Sequence, residues 1–507
     1  MIRIMVNKEI THQKRKRPFR AAGTMERIFL QKKLNHWTGG VLFAGLAVAM
    51  GFLVARNMSL GLGVLGFVLG LAVIIACLLS TETGFYITLI YSFFVYQVSR
   101  MFFSDGLPVG VITDVLSVTI LFSFFLKGVS LKKSLNAFIH SPIVILMLLN
   151  FFYGSLELFN PEGHSFEAWL QAIRRSFETF VFLFVVFQIL RDKETIKNYI
   201  RVLFILCCLA AIYGCIQQWH GLFDFERAWA MADDIRFGLL FINGEFRKFS
   251  TFNDPTAFGT TMAACSVFFT VLAVNQRDRR IKWTWLTGVG LMVLAMAYSG
   301  TRTANVMLMA GFAMFALLTI DKVRTRIFVV AGSLLFLGVL YAPIYGSFAL
   351  NRFRSSFLGS DDESYKVRVL SRNFIKPYMH SHPFGGGLGT TGNLGLKLNP
   401  GHFLAGFQTD SGYVQLALEI GWIGLAIVCI LFFVILKGGV RAYFHSSDEE
   451  MKWVYAAGTC ALFSYYVGMF AQNTLGNVTD MAFYFPVVAM IIRFKDYNNG
   501  GHMQLAG

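Results

Sequence analysis

The chain has 507 residues, of which 55% are hydrophobic and only 15% charged, with 53 Phe and a formal net charge of +16. A soluble protein carries about a quarter charged residues, and here apolar runs long enough to cross a bilayer recur from one end to the other. The composition therefore excludes a soluble enzyme and a disordered chain, and identifies a multi-span membrane protein.

Residues 1–37 form a basic tail expected on the cytoplasmic side. KRKR at Lys14–Arg17 is followed by more polar chain, so it is no cleavable signal. Spans are expected at roughly 38–55, 58–79, 84–103, 109–126, 140–158, 174–190, 198–219, 255–275, 283–298, 302–320 and 326–346. Residues 347–410 read as a long extracytoplasmic loop containing a short helix. Further spans follow at 411–436, 453–471 and 479–493, with a second cytoplasmic tail over 494–507. Backbone groups in hydrocarbon must be satisfied within their own segment, which requires helix, and the alternating strands of a barrel are absent. The expected fold is an all-α polytopic membrane helix bundle of about fourteen transmembrane helices.

Orientation follows from Lys and Arg in short loops. With the N-terminal tail inside, every second loop should be basic. KGVSLKKS, RDKETIK, NQRDRRIK, DKVRTR, KGGVRAYF and the terminal RFKD all satisfy this, and only TET at 81–83 carries no positive charge. Both termini then lie in the cytoplasm. Most of the positive charge is topological, which argues against nucleic-acid binding. The seven Cys fall inside apolar runs without metal-ligand spacing, and read as apolar filler.

The outside ends of the spans hold the residues that could do chemistry. Arg174 and Arg175 stand at the start of span six. EFRKFSTFNDPTAFG carries Arg247 and Lys248 and leads into span eight, with Asp254 as N-cap and Pro255 at the first helical position. Arg302, in the minimal link SGTRTAN, reads either as an interfacial arginine that snorkels to headgroups or as an anion contact beside hydroxyls and backbone N–H groups. Arg368 and Arg372 lie four apart, on one face of a helix expected to rest on the membrane surface through Leu370 and Phe374. HPFGGGLG, 382–389, lacks the GK[ST] of a P-loop and reads as a tight turn. Asp410-Ser411 opens the twelfth span, and either residue suits an N-cap. Glu419 lies nine residues on, about two and a half turns, so the two acids face opposite sides of the helix and form no paired-carboxylate site. Glu419 needs a partner that the sequence does not name.

Taken in order, RKFSTFNDPTAFG, YSGTRTAN, the Arg368 segment closing in HPFGGGLG, and DSGYVQLALEIGWIG resemble the bacterial O-antigen ligase and O-antigen polymerase superfamily, over roughly Arg247 to the end of span thirteen. The last motif is the most specific: Asp410-Ser411, nine residues, then Gly421-Trp-Ile-Gly424. In ligases the first position is a histidine. The resemblance maps the family's essential arginines onto Arg302 and Arg368, with Arg247 a further position, and its histidine by position onto Asp410. His402, eight residues upstream, is a second residue that could serve in its place.

The resemblance implies an enzyme of the bacterial cytoplasmic membrane that transfers glycan from a polyprenyl-diphosphate-linked oligosaccharide to an acceptor glycan or glycolipid. Arginines would stabilise the charge that builds on the leaving diphosphate, and Asp410 would take the acceptor proton. Arg174, Arg175, Arg247, Arg372 and His402 are the expected substrate-binding residues. No Asp-x-Asp stands in the outer loops, so neither metal nor other cofactor is expected. Membrane lipids and other polysaccharide-assembly proteins are the remaining expected partners. The acid in place of histidine favours a polymerase of O-antigen, capsule or exopolysaccharide. An O-antigen ligase acting on lipid A-core is the alternative within the class. A lipid-linked sugar flippase or transporter is the alternative outside it, sustained by Glu419 and Arg100.

Overall fold

A computed structural model describes residues 58–103, 106–128, 131–163, 165–242, 244–341, 348–358 and 363–494, with scattered positions between 41 and 56. The basic N-terminal tail, most of the first expected span and the tail after Phe494 lie outside the described residues. The described chain forms two compact units. The smaller takes in the described residues up to Gly84 and those between Thr119 and Leu131, and holds α1 (Met58–Leu79), the start of α2 (Thr81–Phe102) and the end of α3 (Val109–Leu126). Within it the Ser123 hydroxyl donates to the Leu78 carbonyl at 2.9 Å.

The larger unit, residues 85–118 and 132–507, continues with α4 (Lys132–Ile139), α5 (Pro142–Leu156), α6 (Phe166–Ile189) and α7 (Lys193–Trp219). Two short helices, α8 (Asp224–Met231) and α9 (Asp234–Leu240), lead into a two-stranded antiparallel ladder pairing Phe241 with Phe246. Then come α10 (Pro255–Asn275), α11 (Arg279–Tyr298), α12 (Arg302–Thr319) and α13 (Val323–Tyr341). The stretch expected as a loop with one short helix contains three: α14 (Phe348–Leu358), α15 (Glu363–Ser381) and α16 (Gly392–Leu398). The chain ends with α17 (Gly412–His445), α18 (Glu449–Gly468) and α19 (Val478–Ile492).

Helices thus occupy the positions of the expected spans from the second onward. Among the described residues, seven are long and apolar enough to cross a membrane: α3, α5 with its terminal 3-10 turn, α7, α10, α11, α12 and α17. Gly63–Leu79, Thr325–Tyr341 and Val478–Ile492 are shorter apolar helices. An all-α helical membrane protein accounts for this arrangement.

Side chains start the helices as the sequence suggests. Asp254 accepts from the N–H groups of Thr256 and Ala257, with Pro255 at the first position. Asp192 and Asp448 do the same for α7 and α18. The centre of the larger unit is α10, 94% of whose apolar window is buried inside the protein. Small residues let its neighbours approach, as is general between membrane helices. A Cβ on Gly311 of α12 would meet the side chains of Ser464 and Val267, and one on Gly458 of α18 would meet Val487 at 2.6 Å.

Candidate functional site

The main departure from the expected fold lies in the most specific motif. Span twelve is not one straight helix. Gly421 sits at φ 65°, ψ −170° and breaks α17 into halves. Breaking a helix frees the carbonyls of its last turn, and within a membrane these need new donors. The 383–391 turn supplies them: Gly386 N–H donates to the Leu418 carbonyl at 2.7 Å and Gly387 N–H to Glu419 at 3.0 Å, while Trp422 N–H returns a bond to the Pro383 carbonyl at 2.9 Å. The Tyr153 hydroxyl serves the Ile420 carbonyl at 3.1 Å. Glycine is needed on both sides of this contact. Gly385, at φ +82°, lies so close that a Cβ would stand 2.6 Å from the Gly421 nitrogen. HPFGGGLG is therefore a tight turn, and its function is to seat on the helix break.

The partners of Glu419 come from the same turn. Its buried carboxylate accepts from the Thr391 hydroxyl, from Gln415 Nε2 at 3.4 Å and from the backbone N–H groups of Gly389 and Thr391. Glu419 latches the turn onto the helix.

The break folds the first half of α17 back along the second. Tyr413 and Phe432 are nineteen residues apart, which on a straight helix means about 28 Å, yet their ring centroids are 6.3 Å apart. The N-terminal end of α17 is thus buried against the end of α18. Gly412 N–H and the Ser411 hydroxyl both donate to the Met469 carbonyl, at 2.9 and 3.0 Å. Ser411 is the N-cap, accepting from Val414 N–H at 3.5 Å. Of the two residues suited to the cap, Ser411 takes it, and Asp410 stands one residue outside. Asp410 lines a narrow cleft with Ser371, Arg372 and Gln408. Arg372 donates to the Phe470 carbonyl at 3.2 Å, which ties α15 to the same place.

A cluster of guanidinium groups surrounds the link between α11 and α12. Arg247 Nε donates to the Ser299 carbonyl at 3.0 Å, Nη1 to Leu239 at 3.3 Å and Nη2 to the Thr301 hydroxyl at 2.9 Å. Arg352, from α14, donates through Nε to the Gly300 carbonyl at 3.1 Å. Arg302 begins α12 at the same turn. Burial pushes the Arg247 guanidinium down to about 10, with repulsion from Arg352 and Arg302 adding and Asp254 opposing. Sequence reasoning missed Arg352. Its only signal is that NRFRSS places two arginines just after span eleven, and nothing in the sequence tells that α14 folds back onto the link.

α12, which Arg302 begins, and α17, which follows Asp410, approach the same point from two sides. Met307, five residues or about 7.5 Å along α12 from Arg302, packs on Gly468, where a Cβ would stand 2.7 Å from its sulfur. The next residue, Met469, holds Ser411 and Gly412. Gln472 then reaches Thr256 at 3.5 Å, and the Pro255 carbonyl accepts from Thr301 at 2.9 Å. The starts of α10, α12 and α17 therefore converge on the end of α18.

The remaining expected site residues are distributed differently. Arg174 forms an ion pair with Asp114, and Arg175 is exposed. His402 is buried in the 399–407 turn, where Nδ1 accepts from Leu404 N–H at 3.0 Å. Lys248 is buried and donates to the Phe246 carbonyl at 2.6 Å, and burial lowers its pKa. Arg368 belongs to α15, one turn before Arg372, and its side chain lies outside the described residues. Arg100 is buried, donating to the Phe252 and Ser250 carbonyls at 2.7 and 3.0 Å and stacking on Phe249 and Trp229. It holds the 249–252 turn.

Residues 287–429 match the family model described as O-antigen ligase. The matched stretch runs from within α11 to within α17, and so takes in Arg302, Arg352, Arg368, the 383–391 turn and Asp410. The match supports a relation of this stretch to the O-antigen ligase/polymerase superfamily, and with it a membrane glycan transferase of that type. The chain matches no curated protein.

Proposed function

We propose that this protein is a polysaccharide polymerase of the bacterial cytoplasmic membrane, with about fourteen spans, both termini inside and the Arg302 end of the bundle facing out. It transfers glycan from a polyprenyl-diphosphate donor to the hydroxyl of an acceptor sugar. The observation that carries this reading is the meeting of the starts of α10, α12 and α17 at the end of α18, which brings the link bonded by Arg247 and Arg352, and the residue Asp410, to one end of the bundle.

The chemistry follows from those residues. Departure of the glycan from its carrier breaks the bond between the anomeric carbon and the diphosphate oxygen, and leaves negative charge on that oxygen. Planar guanidinium groups match a diphosphate at two points each and stabilise the developing charge more than the ground state. Arg302 and Arg368 contact it. Arg247, three of whose N–H bonds are already made to the protein, positions the Arg302 link. The acceptor hydroxyl attacks from the opposite face, and Asp410 takes its proton. His402, with Nδ1 held by Leu404, is less suited to that task than Asp410. Arg174, paired with Asp114, is less suited to substrate than Arg372, which shares a cleft with Asp410.

A ligase that hands finished glycan to lipid A-core is the second reading, favoured by the description of the matched family. Deletion of the gene separates the two. Loss of long chains with single repeat units retained supports polymerisation. Normal long chains left on the lipid carrier support ligation and refute the proposal. The transporter reading is weakened, since Arg100 and Glu419, which sustained it, are both bonded to the protein. Assembly proteins of the same pathway and the acceptor glycolipid are the partners this reading calls for.

A further inference from the structure

A cavity of about 220 Å³ lies inside the larger unit, between α5, α6, the second half of α17 and α19. The residues with polar groups in its wall are Asn150, Ser176, Thr179, Asp480 and Tyr484. Asp480 belongs to the first turn of α19, at the end of the bundle where Arg302 and Asp410 lie. Its carboxylate accepts from the Tyr465 hydroxyl at 3.3 Å and from Asn477 N–H at 3.1 Å. Further along α17 and α19 the wall is formed by Ile435 and Val488. Val488 lies about 12 Å along α19 from Asp480. The cavity thus has an acid at the candidate-active-site end of α19 and hydrocarbon side chains further along that helix.

Two further features identify what fits there. A cavity of about 150 Å³ lined by apolar side chains takes a guest as large as benzene, and this one, whose wall is polar in part, is larger. Phe432 is also a shared wall: its ring faces the cavity and stands 6.3 Å from Tyr413, three residues after Asp410. A guest lying in the cavity therefore starts beside the residues proposed to act on the diphosphate. One cavity accommodates one chain. A prenyl diphosphate has one chain, whereas a diacyl phospholipid would leave its second chain outside.

We propose that this cavity holds the prenyl chain of the lipid-diphosphate donor at its head-group end, and so fixes the reacting bond over Asp410. The inference rests on the transferase reading above, in that it takes the donor to be a prenyl diphosphate. Its occupancy test needs no turnover.

The test uses the full chain in lipid nanodiscs with a diazirine-bearing polyprenyl diphosphate. Irradiation is expected to label peptides covering 428–435 and 481–488, and unlabelled polyprenyl diphosphate is expected to compete while phosphatidylglycerol does not. Val428→Trp, which fills the cavity, should cut this labelling about tenfold, the equivalent of 1.4 kcal/mol in affinity. A second filling variant, Ile435→Trp, enters from another level and is used if Val428→Trp fails to fold. Labels confined to outward-facing residues such as Phe433 and Phe444 would overturn the proposal. So would equal competition by phosphatidylglycerol, which would make this a structural lipid site. If wild-type protein is labelled as expected but no glycan is transferred, the transferase reading fails and the prenyl site stands. If glycan is transferred and the cavity is never labelled, only the cavity inference fails.

Discussion

Gly421→Ala tests the helix break on which the candidate site depends. At φ 65°, ψ −170° the backbone is in a region entered almost only by glycine, and a side chain there costs about 1–3 kcal/mol. The new Cβ would also overlap the Pro383 carbonyl oxygen and the Phe384 backbone. Because these are backbone atoms, no rotamer change relieves the clash, and overpacking adds about 1–3 kcal/mol. Moving the 383–387 segment aside would break three loop-to-helix hydrogen bonds, worth about 0.5–1.5 kcal/mol each. The expected loss is at least about 3 kcal/mol. Gly332→Ala is the control: nothing lies within 4 Å of a Cβ there, and alanine in a helix interior is favoured by about 0.5–1 kcal/mol. Melting of purified protein in one detergent at one scan rate should show Gly421→Ala well below wild type, Gly332→Ala level or slightly above, and only Gly421→Ala impaired in glycan transfer. A Gly421→Ala protein with wild-type melting and transfer would mean that neither the fold nor the site depends on the helix break.

Further expectations concern charge and proton transfer. Arg302→Lys should lower kcat about a hundredfold without changing the melting temperature, since lysine cannot make the planar two-point contact; wild-type turnover would count against diphosphate binding there. Asp410→Asn should lower kcat by about 10²–10⁴ with little change in KM for the donor, and an effect on KM alone would assign Asp410 to binding. Inorganic pyrophosphate should raise the melting temperature of wild-type protein, by about 2.7 kcal/mol of stability at a hundred times its Kd, and Arg352→Gln should remove most of that shift. An undiminished shift in Arg352→Gln would take Arg352 out of the anion site. Thr391→Val, which removes a donor to buried Glu419, should destabilise by about 1–3 kcal/mol, read as the same melting shift.

Hydropathy made the helices legible because a membrane span must satisfy its backbone locally, and local periodicity records this directly. Asp254 with Pro255 was legible as a start for the same reason: the cap bonds lie within three residues. What sequence conceals are choices settled by distant partners. Gly421 inside an apolar run looks tolerated, and only the 383–391 turn, some thirty residues upstream, explains its backbone. Asp410 and Ser411 are equal as caps in isolation, and the Met469 carbonyl decides in favour of Ser411. Glu419 finds its hydroxyl partner on Thr391, and Arg352 reaches the Arg302 link only because α14 folds onto α11 and α12. The motif Asp410-Ser411, nine residues, Gly421 thus encodes a half-helix turned back into the bundle, where a straight span was expected.

The central claim is that this protein lengthens a glycan carried on a lipid diphosphate. Purified protein incubated with a polyprenyl-diphosphate oligosaccharide, with the products sized, tests it directly. A polymerase should give a ladder of products rising by one repeat unit, and Arg302→Lys should lose that ladder. Donor left at its starting length by folded wild-type protein, or consumed only when a lipid A-core acceptor is added, would contradict it.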